Sequence, residues 1–190
     1  MMKKVIITSI LILSGCQTHT VNTQTYLQDA QKTAQAFMQQ LGGTLKQQIQ
    51  SQGVVSAIPF CKQVAPTIAN QYSTDVRTVK RVSTKARNRI QGIPDAWEEQ
   101  ALANLTQKVN TKTADAPIEF SQVTTENGEQ YYRYAKAITV QGICLQCHGQ
   151  PKDISTDVNA ALDKHYPNDI ARGYKVGDLR GAVSIKYKLN

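Results

Sequence analysis

Apolar residues recur every three or four positions from about Val21 to Gln50, at Leu27, Ala30, Ala34, Phe37, Met38, Leu41, Leu45 and Ile49. That period predicts an amphipathic helix with one core-facing stripe, softened at Gly42-Gly43. A second helix is predicted from about Val54 to Tyr72. Its apolar face carries Val54, Ile58, Cys61, Ala65 and Ile68, so Cys61 points inward. After Ser73 the pattern changes to short strands, the first from Val76 to Val82, followed by a polar loop. Pro94-Asp95-Ala96-Trp97-Glu98-Glu99 then opens a third helix reaching about Val109, with acidic residues in its first turn. Trp97, the single tryptophan, is expected in the core rather than against a cofactor edge.

Ile118 to Val123 and Tyr131 to Val140 read as an antiparallel pair joined across Glu126-Asn127-Gly128-Glu129, where Asn-Gly is a strong hairpin signal. Asp157 to Tyr166 reads as a short helix with Asp157 as its cap. Gly177-Asp178 then turns the chain into a last strand, Ala182 to Tyr187. Long helices followed by a mixed antiparallel sheet with interspersed helices make an α+β plan of the PAS type, with the N-terminal helices packed on the sheet.

The 190 residues suffice for one domain plus a targeting segment. Met1-Met2-Lys3-Lys4 is a positive start, and Val5 to Leu13 is an apolar run too short to span a bilayer. The run ends in Leu13-Ser14-Gly15-Cys16, which resembles a lipobox, in which the cysteine becomes the lipidated first residue. The expected organisation is a lipoprotein signal over 1–15, a lipid-anchored tether over 16–24 and a domain over 25–190, held on the periplasmic side of a bacterial membrane. An ordinary signal peptide that leaves Cys16 as a free thiol is the alternative.

Removing Lys3 and Lys4 takes the formal charge from +8 to +6. A basic surface beside a membrane suits anionic headgroups or an acidic protein partner, and an exported address argues against nucleic acid. Lys80, Arg81, Lys85, Arg87 and Arg89 form the densest basic stretch. Read blandly it is a solvated face; read functionally it docks a partner or neutralises acidic groups of a cofactor.

Cys144-Leu145-Gln146-Cys147-His148 matches the C-x-x-C-H signature of covalent haem c attachment. In that chemistry the two thiols add to the porphyrin vinyl groups and the histidine reaches the iron from the proximal side. A thioredoxin-like redox pair does not require the adjacent histidine. Half of a zinc site needs a second ligand pair, and no second C-x-x-C exists. With Cys16, Cys144 and Cys147 committed, Cys61 is left unpaired. The residues able to supply a distal iron ligand are then Met38, Cys61, His19 and His165. His19 lies on the tether and is set aside; Cys61 is equally readable as a buried core thiol. No methionine follows His148, and the chain ends in a turn and a strand. Both features argue against the commonest cytochrome c fold and against the four-helix cytochrome bundle.

Several stretches carry a resemblance: Ala57-Ile58-Pro59-Phe60-Cys61 with Ala65-Pro66 and Ile68-Ala69, Val79-Lys80-Arg81-Val82-Ser83 with Arg87-Asn88, and Pro94-Asp95-Ala96-Trp97-Glu98. They continue with Cys144-Leu145-Gln146-Cys147-His148-Gly149 and with Ala171-Arg172-Gly173-Tyr174-Lys175-Val176-Gly177-Asp178-Leu179-Arg180-Gly181-Ala182. In this order they resemble the family of single-haem c domains with a PAS-like fold, found as stand-alone periplasmic proteins and as sensor portions of bacterial membrane kinases. The resemblance implies a haem pocket whose iron takes His148 on one side and Cys61 on the other, with His165 as the runner-up. Thiolate ligation would favour ferric iron. Arg81, Arg87, Arg133 and Arg180 are candidates for pairing with the haem propionates, with Arg81 and Arg180 foremost, although as a group they also read as surface residues.

The function expected from these readings is redox or small-ligand sensing through one covalent haem c, relayed to a separate signalling or redox partner. The alternative is a one-electron carrier docking to a membrane or soluble redox partner. No constellation of distal acid or base residues marks an enzyme.

Overall fold

The computed structural model describes residues 22–111 and 117–189. The expected signal, Cys16 and His19 lie outside the described residues. Asn22 caps the first helix, α1 (Thr23–Gln71), by accepting a hydrogen bond from the Gln24 amide, so the helix takes in residues 23 and 24 of the expected tether. Among the described residues no helix is long and apolar enough to cross a membrane.

The helix is broken at Gly53, with φ 80° and ψ 168°, and its second half doubles back on the first. Gln40 donates its side-chain amide to Gln71 Oε1 at 2.9 Å, the Tyr72 hydroxyl donates to Gln40 Oε1 at 2.8 Å, and the Phe37 and Tyr72 rings meet edge to face at 5.9 Å. Gly42 and Gly43, where softening was expected, lie inside unbroken helix. Low propensity only weakens a helix, whereas a positive φ at Gly53 redirects the backbone.

Strands β1 (Arg77–Val82), β2 (Glu119–Glu126), β3 (Glu129–Thr139) and β4 (Leu179–Lys188) form one antiparallel sheet in the order β1-β4-β3-β2. The β2–β3 hairpin closes on Asn127 and Gly128, at φ 52° and 83°, the pair of positive angles that a type I′ turn demands.

Side chains alternate across the sheet. Val79, Tyr132, Tyr134, Val183, Ile185 and Tyr187 face Ala30, Ala34, Phe37 and Ile68 of α1. On the other face Val82, Ala135 and Ala182 pack against Trp97, Ala101, Leu102 and Leu105 of α2 (Ala96–Thr111). The molecule is therefore α+β with its long N-terminal helix packed on the sheet. Trp97 stacks on Phe120 at 5.7 Å in this second core, as expected.

Under α2 lies a buried polar network. Asp95 and Glu98 hydrogen-bond reciprocally, each carboxylate accepting from the other's backbone amide, at 2.8 and 2.9 Å, a capping arrangement that starts the helix. Glu98 is fully buried, accepts from the Ser184 hydroxyl at 2.6 Å and pairs with Lys80 at 2.9 Å. Arg133, 3% exposed, bonds Asp95 at 2.6 Å and Glu126 at 3.0 Å. Arg133 is thus a buried structural cation on the α2 face, neither a surface residue nor a partner for an acidic group near the cysteine motif.

Helix α4 (Thr156–His165) is capped by Ser155, whose hydroxyl accepts from the Val158 amide at 3.4 Å. The expected cap, Asp157, already lies in the first turn. Ser155 has the extended backbone that lets a short side chain turn back onto the free amides, and a residue inside the turn cannot do so.

Candidate functional site

The β3–β4 pairing continues past the end of β3. The Val140 amide donates to Asp178 O and the Gly177 amide to Val140 O, both at 2.9 Å. The chain then makes a 3₁₀ turn, Gly142–Cys144, and runs directly into the short helix α3 (Leu145–His148). Both motif thiols and the imidazole are consequently presented over little more than one helical turn at the end of a rigid sheet. Cys144 packs against the cluster of Val140, Ala171 and Tyr174, while Cys147 packs against that of Ile58, Ile154, Val158 and Leu162. Cys61, Cys144 and Cys147 are all free and partly buried thiols.

The strand-like segment after α4 clips the motif in place. Gly173 N–H donates to Gly149 O at 2.8 Å and Tyr174 N–H donates to His148 O at 2.9 Å. The His148 Nδ1 lies 2.6 Å from Ala171 O, and its ring meets Tyr174 edge to face at 6.2 Å. Burial pushes the His148 pKa well below the ordinary range, with Arg87 and Arg180 adding to the shift, so the imidazole is neutral. A neutral ring that donates from Nδ1 to a carbonyl keeps its lone pair on Nε2. Arg180 Nε stands 3.3 Å from Nδ1 and 3.4 Å from Nε2, so the guanidinium lies over the ring and leaves the in-plane lone pair of Nε2 clear.

Three guanidinium groups gather here. Arg87 donates to Cys147 O and, at 3.4 Å, to Ala171 O, and pairs with Asp169 at 3.1 Å. Arg180 bonds Ser83 Oγ at 2.9 Å and Lys85 O at 3.3 Å. Burial pushes its pKa down to about 10, with the nearby Arg87 and Arg81 contributing. Arg81 keeps substantial contact with solvent, and the protein around its guanidinium, with Arg87 adding to the effect, lowers its pKa. The basic stretch is not a uniformly solvated face: Lys80 pairs with buried Glu98, Lys85 bonds Arg172 O at 2.5 Å, and Arg87 turns inward, leaving Arg89 exposed.

Cys61 lies one turn beyond Ile58 on the returning half of α1, and Ile58 belongs to the apolar cluster against which Cys147 packs. The Cys61 thiol pKa is raised chiefly by burial, opposed by Arg81 and reinforced by Cys147. Met38 instead packs into the sheet-facing core with Phe37 and Tyr134, away from the motif. His165 ends α4 and lines a groove with Val55, Ser56 and Pro59, while its carbonyl accepts from Lys62 Nζ at 2.8 Å. Of the distal-ligand candidates within the described residues, Cys61 is the one carried by the stretch of helix whose Ile58 packs in the same cluster as Cys147.

The donor chemistry fits a haem. Among the described residues no group of three or more His, Cys, Asp or Glu side chains is placed to hold a bare metal ion, whereas a porphyrin needs only axial protein donors. His148 Nε2 offers one, and Arg180, which lies over the ring, is held there by Ser83 Oγ and Lys85 O. The crowded guanidinium cluster lacks enough anions of its own and suits two carboxylates.

Two participants escaped sequence reasoning. Ala171 acts through its backbone carbonyl, which no side-chain pattern signals. Asp169 accepts from the Ala171 amide at 2.8 Å, a side-chain turn whose only trace in the sequence is an Asp two residues before its partner.

Among curated proteins, none matches this chain. Among solved structures, the chain is similar to the one described as the cyanobacterial heme-protein Tll0287. The TM-score is 0.56 at 24% identity, over 87% of this chain and 94% of that one. The model of the family described as Tll0287-like matches residues 22–187. With nearly its whole length matched, the chain belongs to the Tll0287-like family.

Proposed function

We propose that the protein carries one covalently attached haem c, held by thioethers from Cys144 and Cys147, with His148 as proximal and Cys61 as distal ligand. The observation that carries this reading is that His148, pinned through Nδ1 to Ala171 O, follows two free thiols over one 3₁₀ turn and one short helix. The similarity in fold to a cyanobacterial heme-protein supports it. Arg81 and Arg180 would pair with the propionates. The PAS-like character of the fold belongs to the same proposal, supported by an antiparallel sheet with the C-terminal strand in its interior.

Bound there, haem would supply one-electron redox chemistry and an axial position able to exchange. This chain's residues fix His148 rigidly but hold Cys61 on a helix that starts at a sharp reversal and contains Pro59 and Pro66. One firm and one less firmly held ligand suit a redox or small-ligand sensor, relaying through a separate partner, more than an enzyme. Export as a lipoprotein through Cys16, with a periplasmic, lipid-anchored location, completes the proposal on the strength of the N-terminal sequence.

The test is the ferric absorption and electron paramagnetic resonance spectra of protein matured in a host competent for cytochrome c assembly. Six-coordinate sulfur-ligated iron is expected, altered markedly by Cys61→Ser; an unchanged spectrum removes Cys61. Rapid binding of carbon monoxide or nitric oxide to reduced protein is expected of a sensor. Inert coordination in both oxidation states, with fast exchange to an acidic redox protein, would make it an electron carrier.

A further inference from the structure

Asp169 is a carboxylate with no role in attachment or ligation, yet its side chain is 1% exposed. A buried carboxylate is costly unless several donors satisfy it, and here they do. Oδ1 accepts from the Ala171 amide at 2.8 Å; Oδ2 pairs with Arg87 Nε at 3.1 Å and Arg172 Nε at 3.4 Å. Each of these partners leads back to the motif. Ala171 O receives the His148 Nδ1–H at 2.6 Å, and Arg87 donates to that same oxygen and to the carbonyl of Cys147. Arg172 is anchored in turn to α4 through Asp163 and Asn159, so the whole assembly rests on a helix.

We propose that Asp169 is the positioning residue for the His148 imidazole: through Ala171 and Arg87 it fixes the Nδ1 hydrogen bond, and with it the donor strength of Nε2 towards iron. The inference rests on His148 being the proximal ligand. A hydrogen bond from Nδ1–H to a fixed acceptor makes Nε2 a stronger donor and favours ferric iron. Loss of the carboxylate acts in one direction by three routes. It slackens that bond, removes a negative charge near the metal and leaves Arg87 unneutralised, and each of these raises the reduction potential.

Two measurements test this. In the haem-free protein, nitrogen-15 nuclear magnetic resonance of His148 should show the single Nδ1–H tautomer, with well-separated ring nitrogen shifts that move towards each other in Asp169→Ala. In the haem-loaded protein, Asp169→Ala should show a raised potential and a lowered iron–histidine stretching frequency by resonance Raman. Asp169→Asn, which keeps a neutral acceptor for the Ala171 amide, should fall between it and the parent, and it serves alone if Asp169→Ala does not fold. Unchanged tautomer and unchanged potential in whichever variant folds, with only a lowered melting temperature, would make Asp169 a structural residue and overturn the inference. Failure of the parent protein to gain porphyrin mass would sink the haem reading instead, a result distinct from any Asp169 effect in the haem-free protein.

Discussion

The imidazole Nδ1 of His148 and the carbonyl oxygen of Ala171 lie 2.6 Å apart, although 23 residues separate them in sequence. This bond selects the tautomer of the ring, so the fold itself leaves Nε2 as the nitrogen free to donate, as the proposed iron ligation requires. Preorganisation of this kind limits the rotamer freedom lost on ligation.

The proposed attachment through two thioethers has a simple signature. Cys144→Ser and Cys147→Ser should each retain haem through the remaining linkage, and the double variant should lose all porphyrin to acidic organic extraction. Mass spectrometry before and after extraction reads this directly, and a double variant that still carries covalent haem contradicts the assignment.

Gly181 lies on β4 against β1. A Cβ there would sit 2.3 Å from Val82 O and 3.1 Å from Ser83 Cβ, with backbone rather than a flexible side-chain tip in the way. Gly181→Ala should therefore force the strands apart, costing about 2 kcal/mol or more. It should also displace Ser83, which donates to Arg180 O at 2.7 Å and accepts from its guanidinium. The expected readings are a lower midpoint in denaturant and a changed haem spectrum; a parental midpoint would show that the sheet absorbs the methyl group.

Arg133 tests the buried network beneath α2. Arg133→Met keeps the apolar contact with Trp97 but leaves Glu98, fully buried, with only Lys80 as a countercharge. Breaking a buried ion pair on one side typically costs about 3–5 kcal/mol, so urea denaturation should show a loss of that order. The haem spectrum should be unaffected, since Arg133 contacts α2 and β2 rather than the motif.

Acid should weaken the same network. Burial alone would raise the Asp95 carboxyl, but the hydrogen bond from Arg133, the Glu98 amide and the charges of Arg133 and Lys80 outweigh it and hold its pKa below the ordinary value. At Glu126 burial likewise opposes, and Lys186 and Arg133 prevail. A carboxyl depressed in the folded state contributes stability that is present above its unfolded pKa and lost as pH falls through the folded one. The denaturation midpoint should therefore decline below about pH 4, the range where unfolded Asp and Glu titrate. In Asp95→Asn the decline should be shallower.

Local rules made much of this protein legible. The apolar stripes of α1, the Asn127-Gly128 hairpin, the acidic start of α2 and the cysteine motif all follow from spacings within a few residues, where backbone geometry and side-chain period act directly. Tertiary structure decided the rest. The break between the two predicted helices falls at Gly53, inside the gap the pattern left between Gln50 and Val54, but that the second half folds back so that Phe37 meets Tyr72 is a tertiary outcome. Arg133 was indistinguishable by residue type from Arg180, and only the two faces of the sheet separate a buried structural cation from one beside His148. Cys61 and Cys147 lie on distant segments, and Asp169 acts through a backbone carbonyl. Such meetings depend on packing between elements far apart in the chain, which no periodicity encodes.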